Sequence, residues 1–190
     1  MTFPPGARYV GPYTVLHSRP VYENPWLRLR EDRLRTAGGE ETLLGVVTMR
    51  PGVTVLAMEP AGEVYLVRAF KYALGEQTLE AVSSAIESGE TPEMAGLREL
   101  SEEAGLVASE WVDMGLVNPF TTIVNAPNHL FLARNLSQTR RAPEAGEPPD
   151  LVKMPFEDAL RAVLRGEITH AASCVLILKT QMLLERQRRK

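Results

Sequence analysis

The stretch of sequence that decides the fold runs from residue 80 to residue 106: Glu80-Ala-Val-Ser-Ser-Ala-Ile-Glu-Ser-Gly-Glu90-Thr-Pro-Glu-Met-Ala-Gly-Leu-Arg98-Glu99-Leu-Ser-Glu102-Glu103-Ala-Gly105-Leu106. Thr91 is a good N-cap residue, Pro92 suits the first helical position, and Gly105 can adopt the left-handed conformation that ends a helix. The sequence therefore predicts one short helix over residues 92–104.

This helix has an apolar stripe and an acidic face. The apolar residues are Leu97, Leu100 and Ala104, and the acidic ones are Glu99, Glu102 and Glu103. Because like charges at this spacing cost about 0.2–0.5 kcal/mol per pair, a cation is expected beside them. Mg²⁺ prefers carboxylate oxygens and often shares its shell with phosphates. The face therefore predicts a phosphate-handling metal site, with a solvated acidic face as the alternative.

The spacing of these residues matches a known motif. Arg98-Glu99-Leu100-x-Glu102-Glu103-x-Gly105-Leu106, with Glu90 eight residues before Arg98, resembles the signature box of the Nudix hydrolases, which cleave nucleoside diphosphates linked to another moiety. The resemblance implies that the three glutamates bind metal and that Glu90 pairs with Arg98. The family's glycine six positions before Glu90 is Ser84 here, a residue less tolerant of positive φ.

Composition limits the class of protein. The chain has 190 residues, of which 44% are hydrophobic, so it is long enough for one domain with an appended subdomain. Its net charge of −3 argues against a nucleic-acid partner, and its single cysteine, Cys174, excludes an intramolecular disulfide. We find neither a signal-peptide pattern nor a membrane-length apolar run, so we expect no membrane partner and a cytoplasmic location.

Along the chain, residues 1–12 are predicted to form a loose arm, and residues 13–49 a small antiparallel sheet that is marginal alone. Further strands are predicted at 53–58, 63–70, 111–117 and 130–133, and long loops at 118–127 and 137–150. Helices are expected at about 155–165 and 170–188. The second of these should face the core with Val175, Leu178, Met182 and Leu183. These elements predict an α+β protein or an α/β/α sandwich.

Further motifs narrow the resemblance. Leu66-Val67-Arg68-Ala69-Phe70-Lys71, Leu79-Glu80-Ala-Val82 and Gly166-Glu-Ile168 are similar to the ADP-ribose pyrophosphatase branch of the Nudix family. This likeness implies a Nudix-type α/β/α sandwich over residues 51–190 and an N-terminal antiparallel β subdomain over residues 1–50. It also implies a homodimer in which the N-terminal sheet is domain-swapped.

The resemblance assigns further site residues. Ser83 falls where the family completes the metal shell with a backbone carbonyl, and Glu80 matches a carboxylate at the mouth of the site. Lys71 lies where the branch usually has arginine, and a lysine keeps the charge but loses the planar two-donor fork. Arg68 and Lys71, with Glu80, are the expected substrate-binding residues.

The general base is expected from a later loop. No Asp or Glu lies between Asp113 and Glu144, which leaves Glu144, Glu147 or Asp150. Glu147 best matches the loop glutamate of the branch and is the expected catalytic partner of Glu103. Two histidines, His129 and His170, could also accept a proton, although a lone histidine is more often structural. Cys174 is expected in the core.

Together these residues predict Mg²⁺-dependent hydrolysis, with Mn²⁺ as a substitute, of the pyrophosphate bond of a nucleoside diphosphate sugar. The first candidate substrate is ADP-ribose, which would be cleaved to AMP and ribose 5-phosphate. The second candidate is GDP-mannose or another nucleotide sugar. A nucleotide-binding Nudix module with weak catalysis and a purely structural interaction domain are the rival hypotheses.

Overall fold

The computed structural model describes residues 8–141 and 150–189. They belong to two compact units. The N-terminal unit comprises residues 8–50 with Asn118–Ala126, and the main unit comprises the described parts of 51–117 and 127–189.

The described residues contain twelve strands and three helices. In chain order these are β1 (Arg8–Val10), β2 (Tyr13–Glu23), β3 (Leu27–Arg35), β4 (Glu41–Met49), β5 (Gly52–Met58), β6 (Glu63–Lys71), β7 (Glu76–Glu80), β8 (Val82–Ala85), α1 (Pro92–Ala104), β9 (Leu106–Val117), β10 (Val124–Asn125), β11 (Asn128–Gln138), β12 (Asp150–Pro155), α2 (Phe156–Leu164) and α3 (Ala171–Arg188).

The N-terminal unit is a five-stranded sheet in the order β1-β2-β3-β4-β10. The first four strands pair antiparallel, as the sequence predicted for residues 13–49, and β10 adds in parallel to β4. Two predictions are wrong here. The loose arm contains β1, because Arg8 to Val10 pair with Val15 to Tyr13, and the predicted loop at 118–127 contains β10.

This unit buries little apolar surface. Leu34 is its one buried hydrophobic residue among those described. Asp32 is also buried and accepts hydrogen bonds from Ser18 (2.5 Å) and Arg30 (3.0 Å). Burial alone would raise the pKa of Asp32, but these bonds outweigh it and lower that pKa. Several large apolar side chains are exposed: Tyr9, Val10, Tyr13, Val21, Tyr22, Trp26, Leu43 and Met49 in the strands and turns, and Phe120 and Ile123 in the later segment.

The main unit is a seven-stranded sheet in which β12-β6-β5-β11-β9 form the continuous order. Strand β5 pairs through residues 52–55 with β8 and through residues 57–58 with β6. Strand β7 pairs with the second half of β6. The chain therefore passes from β6 to β5 at Ala81, the single residue between β7 and β8.

Alternate residues of the central strands point to opposite faces of this sheet. Leu56, Leu66 and Leu132 pack with α2 and α3, whereas Val55, Val67 and Ala133 belong to the core that contains Leu100 of α1. Helices on both faces make a three-layer α/β/α sandwich, so the predicted fold class is confirmed.

Helix α1 begins and ends where the sequence predicted. The Thr91 hydroxyl accepts a hydrogen bond from the Met94 amide (3.2 Å), and Gly105 has a φ of 65°. The predicted stripe is partly wrong, because Leu97 is 36% exposed while Leu100 and Ala104 are buried. The helix also lies close to the sheet at Gly96, where an added Cβ would lie 3.1 Å from the Val55 side chain.

The predicted packing face of helix α3 is also only partly right. Leu178 and Met182 are 41% and 54% exposed, whereas Val175 and Leu183 pack against the core as predicted. Its fully buried residues include Ser173 and Thr180, whose hydroxyls are hydrogen-bonded. Cys174 is partly buried and packs against the same core. No helix within residues 8–141 and 150–189 has the length and apolar character needed to cross a membrane.

Candidate active site

Arg98 organises the acidic end of the site. Its guanidinium donates two hydrogen bonds to Glu90, at 2.8 and 3.1 Å, which confirms the predicted pairing. One amino group also donates to Glu99 (2.5 Å) and Glu102 (3.1 Å). The bond from Arg98 lowers the pKa of Glu90. Arg98 therefore offsets the repulsion within the acidic face, which the sequence had assigned to a bound cation alone.

Glu103 is half-buried, but one of its carboxylate oxygens is shielded from water. Its Oε2 atom is buried and has no hydrogen-bond partner in the described part of the chain. Burial, reinforced by the negative charges of Glu99 and Glu80, raises the pKa of Glu103 to about 7, against the opposing effect of Lys71 and Arg141. A buried carboxylate oxygen without a partner costs free energy unless something binds it.

These donors suit a hard divalent cation. The partnerless oxygen of Glu103 lies within the electrostatic reach of Glu99 and Glu80, and carboxylate oxygens are the ligands that Mg²⁺ prefers. The described residues contain no cluster of three or more His, Cys, Asp or Glu side chains arranged to hold a metal. Arg98 bonds one oxygen of Glu99 and one oxygen of Glu102, so the hydrogen bonds of this arginine leave the second oxygen of each carboxylate unengaged.

Glu80 is buried at the end of β7 and stands at the centre of a polar network. Its Oε1 accepts a hydrogen bond from the Thr78 hydroxyl (2.7 Å), and its Oε2 lies 3.2 Å from the Lys71 ammonium. The Nδ1 atom of His170 lies 3.6 Å from the same Oε2. Burial lowers the pKa of His170, and Lys71 adds to this, while Glu80 opposes it. The sequence predicted Lys71 and Glu80 as site residues, and the structure brings them together.

Ser83 and Ser84 lie in β8, where they pair with Thr54 and Val53 of β5. Asn135 is the one non-glycine residue with positive φ in residues 8–141 and 150–189. The backbone at position 84 therefore does not require glycine. A serine at this position, in place of the glycine of the Nudix signature, introduces no backbone strain.

The other predicted residues are spread along the chain. Arg68 is exposed on β6, where it pairs with Leu79 of β7 and Asp150 of β12. Asp150 is exposed at the start of β12. Glu144 and Glu147 lie outside the described residues.

Three contributors were missed from sequence. Arg141 acts on the pKa of Glu103, and its backbone and Cβ pack close to Gly105, at the end of α1. Thr78 and Ser173 join the network around Glu80. Arg141 lies in a segment that the sequence indicated only as a polar loop, and the two hydroxyls carry no motif.

Two family models match this sequence. The NUDIX domain model matches residues 48–174, and the model for the Nucleoside diphosphate sugar hydrolase N-terminal domain matches residues 13–44. The chain belongs to the Nudix family.

Two relatives cover most of this Nudix chain. It is 28% identical over 172 residues to a Mycobacterium tuberculosis protein named ADP-ribose pyrophosphatase, covering 87% of this chain and 82% of that protein. It is 30% identical over 139 residues to the Bacillus subtilis protein of the same name, covering 72% and 75%. A solved structure titled "Crystal structure of ADP compounds hydrolase" matches with a TM-score of 0.82 at 18% identity, over 96% of this chain and 100% of that one. This last likeness shows a shared fold.

Proposed function

We propose that this Nudix protein hydrolyses the pyrophosphate bond of a nucleoside diphosphate sugar, with ADP-ribose as the leading substrate and AMP and ribose 5-phosphate as products. The observation that carries the proposal is the buried, partnerless oxygen of Glu103 beside Glu99 and Glu80. The relatives named ADP-ribose pyrophosphatase support the choice of substrate.

The proposed metal ligands are Glu99, Glu102, Glu103 and the Ser83 carbonyl, with Mg²⁺ as the ion and Mn²⁺ as a substitute. A bound Mg²⁺ offsets phosphate charge and lowers the pKa of a coordinated water. Glu103 would supply an oxygen that has no hydrogen-bond partner among residues 8–141 and 150–189. Arg98 holds one oxygen each of Glu99 and Glu102, which restricts how those two side chains turn toward an ion.

Lys71 and Arg68 are the proposed substrate-binding cations. The Lys71 ammonium, held 3.2 Å from Glu80, would meet a phosphate oxygen as a point charge. Glu80 would keep that ammonium at the mouth of the site.

Glu147 is the proposed general base, which would accept a proton from the attacking water. General-base help is worth about 10²–10⁴ in rate, so Glu147→Gln should lower kcat by that order with little change in KM. Glu144→Gln, three residues earlier, is the matched control and should change kcat much less. Wild-type kcat in both single variants and in the double variant would exclude this loop as the source of the base.

We also propose that the protein is a domain-swapped homodimer in which residues 1–50 form the exchanged subdomain. The exposed side chains of Tyr22, Trp26 and Leu43, and the single buried hydrophobic residue of the described N-terminal unit, support this. We place the protein in the cytoplasm, with no nucleic-acid or membrane partner, in keeping with its net charge of −3 and its lone cysteine.

The direct test is to incubate the purified protein and Mg²⁺ with ADP-ribose, GDP-mannose and other nucleotide sugars and to identify the products by ³¹P NMR. We expect AMP and ribose 5-phosphate from ADP-ribose, and no product when EDTA removes the metal. Tight nucleotide binding without any product would instead identify a binding module.

A further inference from the structure

The switch between β7 and β8 leaves one backbone amide without a partner in the strand ladder. At Ala81 the chain stops pairing with β6 and begins pairing with β5. Ala81 is fully buried, and a buried N–H group without a partner costs about as much as a lost hydrogen bond. The hydroxyl of Ser173, itself fully buried, accepts this N–H at 2.9 Å.

The same hydroxyl is hydrogen-bonded to His170, whose ring lies near the neighbouring Glu80 carboxylate. Oγ of Ser173 lies 2.8 Å from Nδ1 of His170, so one of these groups donates to the other. Nδ1 of His170 lies 3.6 Å from Oε2 of Glu80. The start of α3 therefore contacts both the backbone of Ala81 and the side chain of Glu80.

These contacts come close to the groups assigned to catalysis. Ser83, whose carbonyl is a proposed metal ligand, is two residues beyond Ala81 on the same strand segment. Glu80 holds the Lys71 ammonium at 3.2 Å. A shift of the strand at Ala81 would therefore move a metal ligand, a carboxylate and a substrate-binding cation together.

We propose that Ser173, with His170, is a positioning pair that fixes the Glu80–Ala81 switch and thereby sets the Ser83 carbonyl and the Lys71–Glu80 pair for metal and pyrophosphate. This role rests on the proposed function. Neither residue touches substrate in it, because both act through Glu80 and Ala81.

Helix α3 offers a matched control. Thr180 is fully buried like Ser173, and its hydroxyl donates to the Leu176 carbonyl of the same helix at 2.8 Å. Ser173→Ala and Thr180→Val each remove one buried hydroxyl, but only the first removes a bond to the strand switch. Ser173→Cys, which substitutes a weak sulfur acceptor at similar volume, replaces Ser173→Ala if that variant does not fold.

The first measurement needs neither metal nor substrate. In metal-free protein, the Ala81 amide should exchange its hydrogen at least tenfold faster in Ser173→Ala than in the wild type or in Thr180→Val, as followed by NMR. An unchanged exchange rate at Ala81 would show that the Ser173 hydroxyl does not hold the Ala81 amide, and would overturn the proposal.

The second measurement tests the consequence. Ser173→Ala should lower kcat for ADP-ribose about tenfold or more and weaken Mn²⁺ binding several-fold in calorimetry, whereas Thr180→Val should stay within about twofold of wild type in both. Faster exchange at Ala81 with wild-type kcat and Mn²⁺ affinity would overturn the positioning role, as would equal losses in the two variants. A wild-type protein that neither binds Mn²⁺ nor cleaves ADP-ribose would refute the proposed function. The exchange measurement would still decide whether Ser173 holds the Ala81 amide.

Discussion

The two units of this chain are each built on a β-sheet, but their interiors are very different. The main unit covers both faces of its seven-stranded sheet with helices and fully buries residues such as Leu56, Leu100 and Leu132. The five-stranded N-terminal unit has one buried hydrophobic residue, Leu34, among those described. The main unit thus has the core of an independent domain, and the N-terminal unit does not.

Charged pairs do not make up this difference. The N-terminal strands carry ion pairs between Arg19 and Glu31, between Arg28 and Glu23, and between Glu41 and both Arg33 and Arg35. Exposed pairs of this kind contribute little to stability, because water and salt screen their attraction. We therefore expect the stability of this sheet to come from burial of its exposed apolar side chains against a second copy of the chain.

Removing the N-terminal strands should have the largest effect. The full chain should run as a dimer of about twice 21.0 kDa at micromolar concentration, and a variant that begins at Pro51 should lose the dimer and about 10²-fold or more of its activity. Sedimentation and turnover of ADP-ribose measure the two effects. A well-folded, fully active monomer from this truncation would rule out the domain swap.

A cavity created in the core of the main unit should have the second-largest effect. Leu132 is fully buried, so Leu132→Ala should lower the free energy of unfolding by about 2–5 kcal/mol in urea titrations. Leu164 is 72% exposed at the end of α2, and Leu164→Ala should cost less than about 0.5 kcal/mol. Equal costs at the two sites would contradict the assignment of the core.

The smallest effect should appear at Glu103 in metal-free protein. Because its pKa rises from 4.5 to about 7 on folding, the folded state holds the proton more tightly, and stability falls as pH rises through that interval. The free energy of unfolding of Glu103→Gln should therefore exceed that of the wild type by about 1–3 kcal/mol at pH 8 in EDTA. This difference should shrink toward pH 5. The exposed Glu93→Gln variant should keep the wild-type pH dependence, and a gap that did not change with pH would contradict the burial of Glu103.

Local signals in the sequence were enough for the helix that carries the site. Thr91, Pro92 and Gly105 define its ends through backbone chemistry within a few residues, and the structure places those ends where they were predicted. The Glu90–Arg98 pair was also predicted, because the family spacing fixes both partners.

Features that depend on distant parts of the chain were not predictable. The strand switch at Ala81 requires β5, β6 and α3 together, and nothing near Ala81 in sequence marks its dependence on Ser173. The packing face of α3 was misassigned in part because large apolar residues alone were expected inside, whereas Ser173 and Thr180 are also buried, with their hydroxyls hydrogen-bonded. The buried face of α1 was only partly predicted because it includes Ala95 and Gly96, which carry little hydrophobic signal, rather than Leu97.

The central claim is that the acidic face of α1 holds the metal that hydrolysis requires. The most direct test compares Glu103→Gln with Glu93→Gln, an exposed residue of the same helix, for turnover of ADP-ribose at limiting Mg²⁺. We expect Glu103→Gln to lose at least about 10²-fold in kcat while remaining folded, and Glu93→Gln to match the wild type. Normal turnover by Glu103→Gln at limiting Mg²⁺ would contradict the metal site.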